Sequence, residues 1–471
     1  MPQALSPKRI FIFTLAAALL MRVWLIFQPA LEWWDASIYI GIGKFVYTHG
    51  RIGVFEVLRP YLWPLIQGGF WRLGLDPNFC GKILEIIFSA GVFCLVYLIG
   101  ESMKKYAGAF AALILAAMPV FFSFAAIPIT DIPSVFWSLL AVWFALNKRW
   151  FWSGLMVSIA FTFRFPHALT FAPIICFLFV EACETKAWRE FMKRAGLLIL
   201  GTSVLIVPFL IYSKIFYGDA LLPIKTASSV ASIPNEQDTG DYFFYAKELL
   251  RQNWFIIFGY LVLIATPFWK RLKFHRATIL LSFCLVIVGA YFSQNHHREV
   301  RYAIAFLPYA VLLAGYAIAY SAEKKPSGTP TRAALVILIA YFAASSFALV
   351  KIYSGTSDSF ADFSRFEHFF DDKTGVHVVT NYPMIVGLSD VKLDEIYENW
   401  ENGLSAYGRY ENKTDYFVNN SCQTSCATSE ASCQNAKESL MGALRAKEEA
   451  VFDVIAKNSN CELAIFKIRK D

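Results

Sequence analysis

Charge is scarce along most of this chain. Asp, Glu, Lys and Arg make up 17% of its 471 residues, histidines number 7, and repeated stretches of roughly 17 to 20 residues carry almost none, which excludes a soluble globular protein. No internal repeat is visible, whereas transporters are commonly built from duplicated halves. No small-residue cleavage pattern follows the first apolar run, Ile10 to Phe27, so that run reads as an uncleaved span and not as a signal peptide. The cysteines match no familiar zinc spacing, and the only low-complexity piece is the short linker from Lys324 to Arg332.

What is abundant is apolar surface: 57% of residues are hydrophobic and the mean hydropathy is +0.47. The spacing predicts membrane spans near 10–27, 83–100, 106–124, 133–146, 150–163, 166–182, 195–213, 254–269, 277–292, 302–320 and 333–350. That is a polytopic α-helical membrane protein of about 11 transmembrane helices. Basic residues at every second connection (Lys8/Arg9, Lys104/Lys105, Lys148/Arg149, Lys186 to Arg194, Lys270 to Arg276, Lys324/Lys325/Arg332) place the N-terminus in the cytoplasm and the C-terminus outside. The net charge of +7 follows from these anchors and implies no nucleic-acid partner.

The outer face then carries the connections 28–82 and 214–253 and the tail 351–471. Asp35 to Gly50 and Pro60 to Gly74 show apolar residues at helical spacing and read as interfacial helices. The domain reading is a transmembrane catalytic domain over 1–350 and a soluble, small C-terminal α/β domain over 351–471 on the non-cytoplasmic side. In that tail, 376–380 and 463–468 are strand-like and 436–457 helix-like. Cys422, Cys426, Cys433 and Cys461 form an even set there, which favours two disulfides over a metal site and leaves three connectivities open. Asn412-Lys-Thr414 and Asn419-Asn-Ser421 are glycosylation sequons.

Ionisable groups at the ends of these spans are the candidates for chemistry. Asp35 follows Trp33 and Trp34 just beyond the first span, with Glu32 three residues before it as a possible substitute, and Asp131 lies between Pro128 and Pro133 at the end of another. Either aspartate could instead cap the helix it precedes. Outer-face connections are expected to be poor in cations, yet Arg59, Arg164, His167, Lys225, His296, His297, Arg298 and Arg301 fall there. Guanidinium forks match phosphate oxygens, so an anionic ligand is implied; pairing of Arg298 with Glu299 and contact with lipid headgroups is the plainer alternative.

A carboxylate and a cationic cluster at a water-lipid boundary suit a lipid-linked sugar phosphate. The phosphate leaves as an anion, since its second pKa is about 6, so departure needs charge stabilisation and no separate general acid. One carboxylate base acting on an attacking hydroxyl gives displacement with inversion. Asp35 suits the base, Asp131 a supporting carboxylate, and Arg59, Arg164, His167, His296, His297, Arg298 and Arg301 the phosphate; the scheme requires no metal and no cofactor beyond the donor itself.

Several motifs stand in a telling order: Asp35 with Tyr39 and Gly43, Arg59-Pro60 with Pro64, Thr130-Asp131-Ile132-Pro133, Arg164, and His297-Arg-Glu-Val-Arg-Tyr302 ahead of Pro308. This series resembles the GT-C superfamily of polytopic glycosyltransferases that use polyprenyl- or dolichyl-phosphate sugars. The Asp-Ile-Pro element is similar to the protein O-mannosyltransferase-like group, and the 297–302 element to dolichyl-phosphate-mannose-dependent mannosyltransferases. The resemblance implies transfer of a hexose, mannose being the best guess, from a polyprenyl- or dolichyl-phosphate sugar to a hydroxyl of a glycan, lipid or protein acceptor. The alternative reading is a lipid or solute transporter or flippase.

Overall fold

The computed structural model describes residues 6–28, 33–234, 238, 240–323, 329–353, 360–424, 426, 431–456 and 461–470. Helix α1 (Pro7–Ile26) begins at Ser6, whose hydroxyl accepts the Arg9 amide at 3.4 Å, with Pro7 in the first turn, where its missing N–H costs nothing. After α2 (Trp34–Tyr47), α3 (Leu62–Arg72) and α4 (Pro77–Met103), the apolar run 106–124 divides into α5 (Ala107–Ala116) and α6 (Pro119–Ser123). The two are bent by 69°. Pro119 explains the break, because it lacks an N–H and drives Met118 into extended backbone (φ −87°, ψ 113°).

Next come α7 (Asp131–Leu146), α8 (Trp150–Phe163), a 3-10 turn at Phe165–Thr170, α9 (Phe171–Thr185), α10 (Trp188–Tyr217), α11 (Leu222–Ala231), α12 (Phe244–Gln252), α13 (Ile256–Ala265), α14 (Trp269–Leu272), α15 (Ala277–Gln294), α16 (Leu307–Glu323) and α17 (Thr329–Tyr353). Among the described residues, 6 helices are long and apolar enough to cross a membrane, or 7 if the bent pair counts as one span. The expected runs 133–146, 150–163 and 302–320 form shorter apolar helices. The run at 254–269 is α-helical over Ile256–Ala265 and gives way to a 3-10 turn containing Pro267, after which α14 begins at Trp269.

The chain forms two compact units. One comprises Met1–Phe27, Val57–Leu62 and Lys82–Tyr353, and the other Gln28–Glu56, Trp63–Gly81 and Ser354–Asp471. In the first unit α8 and α10 meet through reciprocal glycines: a Cβ on Gly154 would stand 2.1 Å from the Leu198 carbonyl, and one on Gly201 2.1 Å from that of Phe151. Small residues at such a seam let the two backbones touch, which supplies the packing that apolar surroundings cannot drive.

The second unit contains α18 (Phe360–Glu367) and β1 (His377–Thr380), then α19 (Ile385–Leu388) and β2 (Lys392–Ile396). The chain continues through α20 (Trp400–Tyr410), β3 (Tyr416–Asn420), α21 (Ala431–Lys447), β4 (Glu449–Ile455) and β5 (Glu462–Lys467). The five strands lie in the order β2-β1-β3-β5-β4. β1 pairs in parallel with β2 and β3, and β5 pairs antiparallel with β3 and β4. Trp400, Tyr397, Phe417, Leu440, Leu444 and Phe466 form a core with α20 and α21 against the sheet. Both strand-like runs of the tail are strands. The helix expected over 436–457 instead stops at Lys447, and the alternating 449–455 stretch becomes β4 because β5 offers it a full antiparallel partner.

The tail cysteines close two disulfides, Cys422–Cys461 and Cys426–Cys433. Asn412 is exposed, while Asn419 is buried inside β3 and beyond the reach of a modifying enzyme once folded. The two bridges close loops with sequence separations of 39 and 7. Since closure entropy grows with the logarithm of loop length, replacing Cys422 and Cys461 by serine is expected to destabilise the tail by about 4 kcal/mol, against about 2 kcal/mol for Cys426 and Cys433. Urea-dependent proteolysis of the tail measures the difference, and equal losses would contradict it.

Candidate active site

Asp131 is the first residue of α7, where the helix N-terminus favours a carboxylate. It is 4% exposed. Arg164 follows the last residue of α8; its extended backbone (φ −156°, ψ 117°) ends that helix ahead of Pro166 and directs the guanidinium onto Asp131 Oδ1 through Nη1. Arg301, in the 3-10 turn Val300–Ala305, brings its Nη1 to 3.9 Å from Asp131 Oδ2. Two cations therefore share one buried carboxylate.

Glu299 is the second counter-charge. Arg301 Nη2 donates to its Oε1 at 2.8 Å, and Nε stands 2.6 Å from Oε2, off the line that a hydrogen bond requires. The Tyr302 hydroxyl donates to Oε1 at 3.1 Å, and His297 Nε2 lies 3.3 Å from the same atom. The Tyr302 ring carries both guanidiniums, that of Arg164 at 4.8 Å and that of Arg301 at 5.5 Å from the centroid. An aromatic face beneath paired arginines holds their planes in place and adds attraction of its own.

The remaining expected site residues take other positions. Arg298, 3% exposed, donates from Nη1 to the Asp241 carbonyl at 2.7 Å and sets Nε 3.2 Å from Asp238 Oδ1. His296 Nδ1 lies 2.9 Å from Asp238 Oδ2. This hydrogen bond, helped by the Gly240 amide and the Arg298 charge, holds the Asp238 carboxyl below the usual carboxylate range. His167 is buried against α7, its Nδ1 2.7 Å from Ser138 Oγ, two turns along from Asp131. Lys225 pairs with Asp219 at 2.7 Å on the surface. Arg59 is half-buried on the Val57–Leu62 segment, where Tyr61 hydrogen-bonds Tyr217 at the end of α10 and meets Tyr212 edge-on at 5.9 Å.

Asp35 belongs to the other compact unit. It is the second residue of α2 and half-buried; Trp33 holds the cap position, so Asp35 is not the N-cap of the helix. Glu32 lies outside the described residues.

Two carboxylates were not identified from the sequence as parts of the site. Glu299 organises Arg301, Tyr302 and His297, although the motif suggested Arg298 as its partner. Glu85 of α4 is fully buried and feels the charge of Asp131. The Ile129 amide reaches toward its carboxyl while donating to the Ile127 carbonyl at 2.8 Å. A signal for Glu85 was present: one acidic residue inside the apolar run 83–100.

Asp131→Ala would remove the carboxylate that Arg164 and Arg301 share, leaving Arg301 its Glu299 pair, and is expected to destabilise the first unit by about 3–5 kcal/mol. Lys225→Ala, which breaks a pair that is 61% and 40% exposed, should change stability by about 0–1 kcal/mol. Thermal unfolding of the two variants in detergent tests this ordering, and similar losses would refute it.

Residues 59–212 match the family model described as dolichyl-phosphate-mannose-protein mannosyltransferase, a stretch that includes Arg59, Asp131 and Arg164. No curated protein matches the chain by sequence. The fold is similar to that of ArnT from Cupriavidus metallidurans bound to undecaprenyl phosphate, with 12% identity, a TM-score of 0.66, and coverage of 97% of this chain and 98% of that one. It is also similar to the oligosaccharyltransferase of Archaeoglobus fulgidus tethered to an acceptor peptide containing the NVT sequon, with 12% identity, a TM-score of 0.60, and coverage of 87% of this chain and 68% of that one. The matched stretch covers about a third of the chain, and the whole-chain fold is similar to those of ArnT and the oligosaccharyltransferase; with its long apolar helices, this chain is an integral, multi-pass membrane protein.

Proposed function

We propose that this protein is a glycosyltransferase of the GT-C superfamily that takes a hexose, with mannose as the first candidate, from a polyprenyl-phosphate donor and passes it to a hydroxyl of a glycan, lipid or protein. The observation that carries the reading is the convergence of Arg164 and Arg301 on Asp131 above the Tyr302 ring. A phosphate entering there exchanges carboxylate oxygens for phosphate oxygens around guanidiniums that are already oriented, so little reorganisation is needed as negative charge develops on the leaving group. The undecaprenyl phosphate bound to ArnT and the acceptor peptide held by the oligosaccharyltransferase support a lipid-linked donor and a separate acceptor.

In this scheme the acceptor oxygen bonds to the anomeric carbon, and the bond from that carbon to the phosphate oxygen breaks with its electron pair leaving on the phosphate. Asp35 takes the hydroxyl proton. Asp131 keeps the arginines in register, and Arg59, His167, His296, His297 and Arg298 complete or support the surroundings of the phosphate. The step is balanced without a cofactor. We place the N-terminus in the cytoplasm and the tail outside, in line with the basic connections and with the two disulfides, which persist in oxidising compartments.

Reconstituted vesicles with a labelled polyprenyl-phosphate mannose and a panel of hydroxyl acceptors test the reading. Asp35→Asn is expected to abolish transfer while donor binding persists. Arg301→Gln should lower turnover by about 100-fold to 1000-fold, the usual consequence of losing one oriented group that stabilises developing negative charge. Near-native turnover in Asp35→Asn would remove Asp35 as the base, and near-native turnover in Arg301→Gln would remove the cluster as the phosphate site.

A further inference from the structure

Within the second unit, Lys44 of α2 is buried to 2% exposure. Its Nζ lies 3.1 Å from Asp390 Oδ1 and donates to the carbonyls of Ser389 at 2.9 Å and Val386 at 3.1 Å, at the end of α19. Trp71 Nε1 of α3 donates to the same Asp390 oxygen at 3.0 Å. Counting the Gly387 carbonyl at 3.5 Å, the ammonium thus has an ion-pair partner and three backbone carbonyls that belong to a segment more than three hundred residues away in sequence.

The contact continues along α2. A Cβ on Gly387 would stand 2.6 Å from Ser37 Oγ, and one on Gly41 2.8 Å from Val386 Cγ1, so helix and segment touch from Ser37 to Lys44. Beyond the helix, the Gly53 amide donates to Val391 O at 2.8 Å and the Leu393 amide to Gly53 O at 2.9 Å, adding the connection to the edge of β2. Gly53 is required there: its φ is +90°, and a Cβ would stand 2.2 Å from the Gly41 carbonyl.

Stability does not explain this lysine. A buried charge pair is often no more stabilising than an apolar side chain of similar volume, and its best-attested use is to select one register among several. An apolar contact would let α2 slide or rotate on the 386–390 segment, whereas an ammonium coordinated by fixed carbonyls and one carboxylate has a single placement. Asp35 lies on the same 14-residue helix.

We propose that Lys44 is a positioning residue for glycosyl transfer: by gripping residues 386–390 it sets the axial position and rotation of α2 and hence the placement of the Asp35 carboxylate. The C-terminal sheet thereby acts as the fixed mount of the base. This inference rests on the reading of Asp35 as the base.

The test uses the full-length protein in vesicles with a labelled polyprenyl-phosphate sugar. A base displaced by about 1 Å costs about 100-fold in rate, so Lys44→Met should lose that much in kcat while KM for the donor stays nearly unchanged. Asp390→Asn should show a smaller loss of the same kind, and the double variant should be no slower than Lys44→Met alone. Asp390 is 36% exposed, and its substitution leaves Lys44 with its carbonyls, so it supplies the kcat-against-KM readout even where Lys44→Met fails to fold. Native kcat in Asp390→Asn and any folded Lys44→Met, losses confined to KM, or additive losses in the double variant overturn the positioning role. An active Asp35→Asn overturns the base assignment whatever Lys44 does, so the two failures are told apart.

Discussion

A charge taken out of water must meet an opposite charge, and the site in the first unit is arranged around that requirement. Asp131 is buried at the head of α7, and the chain supplies it with Arg164 from the end of α8 and Arg301 from the turn before α16. An unpaired ion in such surroundings costs several kcal/mol. The helix termini are therefore where they are partly because these three groups have to meet. The same pairing keeps two guanidiniums largely desolvated, stacked on Tyr302 and already oriented.

The second unit obeys the same rule with a different outcome. Lys44 is as buried as Asp131, but its partners are backbone carbonyls and the half-exposed Asp390, which the chain presents at the end of α19. The residues that follow the first apolar span are thus joined to the sheet of the tail, and the compact unit ignores the order of the chain. A tail that would otherwise be an appendage becomes part of the support of α2.

Much of the architecture was legible from local patterns. The apolar runs are helices, the strand-like runs of the tail are strands, and the four tail cysteines pair as two disulfides. Proline explains where local reading fell short, by breaking the 106–124 run at Pro119 and shortening the helix before Pro267. β4 was hidden because residues 449–455 continue a helix-like stretch, and only β5 beside them makes the extended form the better one. In the site, Asp131, Arg164 and Arg301 could be singled out as charges at the ends of apolar runs. The way the 295–302 cations divide could not: Arg298 and His296 turn to Asp238, while Arg301 and His297 turn to Glu299.

The sequence by itself determined that this is a helical membrane protein with ionisable groups gathered at the ends of its spans and a cysteine-bridged tail. Hydropathy, proline and cysteine act through the nearest residues or through composition, and both are visible in one dimension. The tertiary structure alone decided which carboxylate meets which guanidinium, which cysteines pair, and that Lys44 seats on residues 386–390. Those outcomes depend on how distant segments pack, because a buried charge or thiol selects its partner by proximity in space, and separation along the chain does not encode that proximity.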